Sequence, residues 1–151
     1  MVTVIQRVSD SRVEINGNIQ GEIAQGLTIL LGVKTGDTLE DATFLAKKIA
    51  NMRIFEDEEG KMNLSIKDVG GSALVISQFT LLADCKKGNR PSFIQAAEPQ
   101  MAKRLYEEFI VLMRKENIVV EEGIFAADMK VHIANDGPVT IVLDSAEFIK
   151  K

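Results

Sequence analysis

The sequence predicts an α+β domain in which a mixed, mostly antiparallel sheet curls into a barrel-like form and carries two main helices. Three observations predict it. Apolar residues recur with a helical period in two segments, one holding Ala42, Leu45, Ala46 and Ile49, the other running from Pro99 to about Glu116. About eight further segments are short and rich in Val, Ile and Leu, and they do not alternate strictly with the helices as a parallel βαβ array would. The length of 151 residues fits one domain, 1–151, and leaves little room for a second.

The elements follow in order. Val2, Val4 and Gln6 alternate with Thr3, Ile5 and Arg7, a strand with apolar residues on both faces. Val13 and Ile15 lead into Asn16-Gly17, a strong type I′ hairpin signal, and Ile19 and Ile23 return from it. The apolar run from Gly26 to Lys34 predicts a central strand buried on both faces. Gly36-Asp37-Thr38 opens the first helix, with Asp37 or Thr38 as cap and Glu40 or Asp41 three residues on. Arg53–Phe55 and Met62–Ile66 predict short strands on either side of the acidic turn Glu56–Glu59. Ser72–Leu82 predicts a second long apolar strand. Pro99 suits the first position of the second helix, because the missing N–H costs nothing there. Met101, Leu105, Phe109, Leu112 and Met113 would face inward, and Asn117 would stop the helix in a left-handed conformation. Ile118–Glu121, Met129–Ala134 and Val139–Leu143 close the chain as three strands.

Composition excludes several classes. A net charge of −4 argues against broad coating of a nucleic-acid backbone, although Lys86, Lys87 and Arg90 form one local basic cluster and Lys47 and Lys48 another. No apolar run approaches the roughly 20 residues that span a bilayer, and the first ten residues carry no signal-like stretch. A cytoplasmic protein without membrane contact is expected. One cysteine, Cys85, cannot form a disulfide within the chain, and with a single histidine, His132, it makes no recognisable zinc motif. Gly70-Gly71 precedes a strand rather than opening a helix, so it is no phosphate loop. Neither metal nor cofactor is expected.

Two segments break the local logic. Ser77-Gln78-Phe79-Thr80 continues an apolar strand with polar groups; by alternation Gln78 and Thr80 would share the face of Leu74 and Ile76, with Ser77 and Phe79 opposite. Such groups either bond neighbouring backbone or line a pocket, since leaving them unpaired costs roughly 1–3 kcal/mol each. Asn135-Asp136-Gly137-Pro138-Val139-Thr140 lies between two strand signals and reads as a connecting turn on its own chemistry. Thr80 is a tempting nucleophile, but a threonine hydroxyl needs an activating base. His132 and Cys85 have no readable partner, and both read as structural residues. Asp136 beside Gly137 reads as turn chemistry rather than a cation ligand.

Together, Ser77-Gln78-Phe79-Thr80-Leu81 and Asn135-Asp136-Gly137-Pro138-Val139-Thr140 resemble the signature segments of the D-aminoacyl-tRNA deacylase family. The likeness continues through Gln6-Arg7-Val8, Gly60-Lys61-Met62-Asn63 and Gly88-Asn89-Arg90-Pro91-Ser92-Phe93. It extends from Met1 to about Ser145, leaving Ala146–Lys151 as a variable tail. Each short motif is weak alone, whereas both signature segments in order in a chain of this size are specific.

The resemblance implies hydrolysis of the ester between a D-amino acid and the 3′-terminal ribose of tRNA. It also implies a homodimer in which a cis Gly137–Pro138 peptide enters the partner's active site. The Gly137 carbonyl would then receive the substrate ammonium, and the Pro138 carbonyl would stand where an L side chain must go. Arg7 would brace this loop, and Phe125 and Met129 would wall the adenine end. For the chemistry, the resemblance implies that the substrate's 2′-hydroxyl assists attack by water. The strand Ser77–Thr80, including Phe79, would offer N–H donors to the developing oxyanion, and Gln78 would position the ribose. Two other readings stay open: a module that binds an RNA terminus without chemistry, and a hydrolase of another ester with Thr80 as nucleophile.

Overall fold

The first strand organises the molecule. A computed structural model, describing residues Met1–Lys151, shows eight strands, two α-helices and two short 3-10 turns. The strands are β1 Val2–Ile15, β2 Asn18–Ile23, β3 Gly26–Gly32, β4 Phe55–Glu56, β5 Met62–Leu64, β6 Ser72–Ser77, β7 Val119–Glu122 and β8 Lys130–Asp144. The helices are α1 Leu39–Asn51 and α2 Pro99–Lys115. The main sheet runs β2-β1-β3-β6-β7, and β8 lies along the other side of β1. β1 pairs antiparallel with β2, β3 and β8, while β3–β6 and β6–β7 are parallel. The parallel pairs arise where a helix intervenes: α1 connects β3 to β6, and α2 connects β6 to β7. β4 and β5 form a small separate ribbon around the acidic turn.

Both helices pack on one face of the sheet. Ile5, Leu27, Ile29 and Leu31 meet Leu45, Ile49, Leu105 and Phe109 in the larger core. The other face is covered only at one end, where β2 and the first half of β8 fold over Val8, Leu74 and Ile76. That curl nearly closes a barrel. At Gly21 on β2, an added Cβ would lie 3.2 Å from the Glu122 carbonyl oxygen on β7, so the two edges approach closely there. No helix is long and apolar enough to cross a membrane.

Local signals appear where they were read. Asn16 and Gly17 both take positive φ, 52° and 80°, as a type I′ turn requires. Thr38 caps α1, its N–H donating to Asp41 Oδ2 at 2.8 Å. Asp37 instead accepts from the Lys34 N–H at 2.7 Å and the Met1 amino group at 2.8 Å. Asn117 ends the α2 region at φ 62°. Asp41 is buried and also accepts from Ser145 Oγ (2.6 Å) and Lys151 Nζ (2.7 Å).

Four expectations need correction. The signals at Val2–Arg7 and Val13–Ile15 belong to one continuous strand, β1. Ser72–Leu82 is not one strand: β6 ends at Ser77, and Phe79–Leu82 winds into a 3-10 turn. Met101 is exposed, and the buried stripe of α2 instead includes Tyr106 and Ile110, because the Tyr106 hydroxyl reaches the Val75 carbonyl at 2.8 Å. Asn135–Thr140 does not connect two strands: β8 is one strand, paired with β1 on both sides of this segment.

Candidate active site

Glycine 32 shapes the first wall of the site. The Gln78 N–H donates to the Leu31 carbonyl at 2.8 Å, the last rung between β6 and β3. Beyond it the chain folds back against β3, where a Cβ at Gly32 would sit 3.1–3.2 Å from Gln78 O, Leu82 Cδ2 and Leu81 Cβ. The absence of a side chain at Gly32 lets the turn pack this closely without displacing its neighbours. The alternation expected for Gln78 and Thr80 therefore stops at Ser77. The amides of Phe79 and Thr80 open the 3-10 turn, the positions whose N–H groups find no partner inside it.

The result is a cleft of about 690 Å³. Ser77, Gln78, Phe79 and Thr80 form one wall, and Phe125 and Met129, from the connection between β7 and β8, form another. The start of α2 contributes Glu98, Pro99 and Ala102. Phe79 is 56% exposed and packs edge-on against Phe93, with ring centroids 5.1 Å apart. Tyr106 lies behind Phe125 at 6.1 Å; its burial, reinforced by the charge of Glu122, pushes its phenol pKa up, so it is a neutral strut. Gly123 makes room for Met129, whose Sδ lies 2.6 Å from where a Cβ would stand.

Within the cleft, Gln78 Nε2 donates to Thr80 Oγ1 at 2.5 Å. An amide N–H₂ cannot take a proton from that hydroxyl, so this contact orients Thr80 without activating it. The ionisable side chains among the lining residues are Glu98 and Asp128. Glu98 is engaged as the cap of α2, accepting the Gln100 N–H at 3.0 Å.

Gly137 and Pro138 stand elsewhere, exposed on β8, joined by a cis peptide bond and absent from the cleft lining. Gln6 pairs with Thr140 and Val8 with Asn135, so four residues of β8 face the single residue Arg7. The surplus backbone bulges outward. Two clamps hold it. Asn135 accepts the Val139 N–H (3.2 Å) through Oδ1 and donates to Thr140 Oγ1 (3.2 Å), closing the base of the bulge. Arg7, 6% exposed, donates through Nε to the Asp136 carbonyl at 3.0 Å and through Nη1 to the Ile54 carbonyl at 2.8 Å. Gly137 has φ 127°, and a Cβ there would meet Val139 Cγ2 at 2.9 Å and Arg7 Nη2 at 3.0 Å.

The structure thus gathers Ser77, Gln78, Phe79, Thr80, Phe125 and Met129 in one cleft, and groups Arg7 with Gly137 and Pro138 outside it. His132 is in neither group: its Nε2 lies 2.8 Å from Glu14 Oε1. Cys85 is exposed on the loop after the 3-10 turn. Sequence reasoning missed Ala102, Ala126 and Asp128 in the lining and the Asn135 clamp. Of these, only Asn135 had a readable signal, its place at the start of the second signature segment.

A family model described as D-Tyr-tRNA(Tyr) deacylase matches residues 4–144. Proteins named D-aminoacyl-tRNA deacylase from Geobacter sulfurreducens and Persephonella marina are 57% and 59% identical over 145 residues. These alignments cover 96% of this chain and 95% and 98% of the two relatives. A solved structure of the c-Myc DNA Unwinding Element Binding Protein superposes with a TM-score of 0.89 at 39% identity, covering 95% of this chain and 98% of that one. A probable eukaryotic D-amino acid tRNA deacylase superposes at 0.79 with 15% identity, a likeness of fold alone.

Proposed function

This chain belongs to the D-Tyr-tRNA(Tyr) deacylase family, and from that premise we infer that it hydrolyses the ester of D-aminoacyl-tRNA, releasing free D-amino acid and tRNA. It is an enzyme, a hydrolase of ester bonds. The reading goes further on one observation: the two signature segments of a single chain do not share a site. Gly137–Pro138 projects from β8, while the cleft it would serve is walled by Ser77–Thr80. A two-fold homodimer reconciles them, each protomer inserting its bulge into its partner's cleft and receiving one in return.

In that arrangement the terminal adenosine enters the cleft with its base toward Phe125 and Met129. The 2′-hydroxyl of the ribose assists water in attacking the ester carbonyl. The N–H groups of Phe79 and Thr80 meet the oxyanion as it develops, and removing one such donor typically costs about 10²–10³ in rate. Gln78 positions the ribose and holds the Thr80 hydroxyl aside. The partner's Gly137 carbonyl accepts the substrate ammonium, and its Pro138 carbonyl occupies the volume an L side chain would need. A wall of backbone discriminates by exclusion, which suits a site that accepts many side chains but one hand.

The alternative with Thr80 as nucleophile lacks a base, since the group bonded to its hydroxyl is an amide donor. The direct experiment incubates the protein with matched D- and L-aminoacyl-tRNAs and follows free amino acid. Release from the D ester alone supports the reading. Equal release from both, or tRNA binding without release, contradicts it.

A further inference from the structure

The loop between the 3-10 turn and α2 holds charge that the deacylase chemistry leaves unused. Asp84 and Ser92 exchange two backbone hydrogen bonds, Asp84 N–H to Ser92 O at 2.7 Å and Ser92 N–H to Asp84 O at 2.9 Å. The intervening residues form a closed projection, turned at Gly88 (φ 66°) and tied at its start by the Lys86 N–H on Asp84 Oδ1 at 3.0 Å. It carries Lys86, Lys87 and Arg90, all exposed, against the single carboxylate of Asp84, in a chain whose net charge is −4. Its footing is the cleft wall itself, because Phe93 directly follows Ser92 and packs on Phe79.

A cleft of about 690 Å³ has room for an aminoacylated nucleoside, and in the deacylase reading the nucleotides before it continue over the rim. The rim is not uniform in charge. Of the residues that line the cleft itself, only Glu98 and Asp128 carry charge, and both are carboxylates, while the cations Lys103, Arg104 and Lys130 stand outside the lining. The Phe93 side leads to the loop that carries three cations, of which Lys86 also borders the neighbouring groove lined by Lys34 and Asp144. We propose that this loop binds the phosphate backbone of the single-stranded 3′ end of tRNA immediately before the terminal adenosine, through Lys86, Lys87 and Arg90. The assignment rests on the deacylase reading and adds the surface by which the enzyme engages the polynucleotide rather than its aminoacyl terminus. It also resolves how an acidic protein engages RNA, by a few local phosphate contacts in place of a basic face.

The test compares wild type with the triple variant Lys86→Ala, Lys87→Ala, Arg90→Ala on two substrates, D-aminoacyl-tRNA and the corresponding D-aminoacyl-adenosine. The variant should raise KM on the tRNA with kcat retained and leave hydrolysis of the adenosine ester unchanged. Binding of uncharged tRNA should also lose salt dependence. With a slope of about 0.7 per single-strand contact, raising salt from roughly 50 to 200 mM should cost wild type about fifteen- to twentyfold more affinity than the variant. Unchanged KM and salt dependence on tRNA would overturn the assignment, as would equal losses on both substrates. Wild type that hydrolyses neither substrate would instead overturn the deacylase reading, and the loop's role with it.

Discussion

Arg7 Nε donates to the carbonyl oxygen of Asp136 at 3.0 Å, from a position on β1 that has no Cα partner on β8. The guanidinium takes the place of the missing rung and reaches on to the Ile54 carbonyl at 2.8 Å, so one side chain ties the bulge to the segment after α1. Both bonds carry charge, which makes each roughly twice as strong as a neutral one. Lysine has one donor centre and cannot make this fork.

Arg7→Lys should therefore keep the fold and lose the position of Gly137. A displacement of about 1 Å at a positioning contact can cost 10²-fold in rate. We expect kcat/KM on D-aminoacyl-tRNA to fall roughly ten- to a hundredfold, with a far-ultraviolet spectrum matching wild type. Unchanged kinetics would show that the bulge holds its shape without Arg7.

Gly137→Ala meets two obstacles at once, a φ of 127° that L residues rarely adopt and a Cβ 2.9 Å from Val139 Cγ2. The exposed bulge can deform without disturbing the core. Thermal stability should fall by no more than about 1–3 kcal/mol, while deacylation is lost almost completely. A Gly137→Ala protein with wild-type activity would remove this backbone from the mechanism.

Thr80→Ala removes the hydroxyl that accepts from Gln78 but leaves the backbone N–H in place. Single-turnover rates should stay within about tenfold of wild type, since a lost neutral hydrogen bond is worth about 0.5–1.5 kcal/mol. A drop of many orders of magnitude in a folded protein would restore the nucleophile mechanism.

Asp41 contributes to the acid limb of stability. Burial raises its pKa, but the hydrogen bonds from Lys151, Ser145 and Thr38 outweigh that, and the carboxyl is held well below the usual carboxylate range. A carboxyl depressed on folding contributes stability that is fully present above its unfolded value near pH 4. The contribution shrinks below that pH and is gone once pH has dropped through the folded value. Asp41→Asn should cost about 1–3 kcal/mol at pH 7, and denaturation curves of the two proteins should converge as pH falls below about 4. A pH-independent difference would assign the loss to packing alone.

What was legible in the sequence was local. Asn16-Gly17, Thr38 with Asp41, Pro99 and Asn117 act within a few residues, and each ends or turns its element as its chemistry requires. What was not legible depended on a distant strand. Ser72–Leu82 has the pattern of one strand, but Gly32 on β3 lets its last five residues fold away. Asn135–Thr140 has the pattern of a turn, and only the register of β1 on either side makes it a bulge in one strand. The cleft shows the same division. Ser77–Thr80 announced itself by breaking an apolar run, whereas Ala102 and Asp128 come from other elements and have no spacing that links them.

The central claim is that each active site is completed by the partner's Gly137–Pro138. Mixed dimers test it most directly: Gly137→Ala is co-expressed with Ala96→Trp, whose indole would fill the cleft, after each has been shown to be inactive alone. If the bulge acts in trans, a heterodimer holds one intact cleft facing one intact bulge, and random pairing should restore about a quarter of wild-type activity. If the bulge serves its own protomer's cleft, every site in the mixture carries a defect, and the mixture stays inactive.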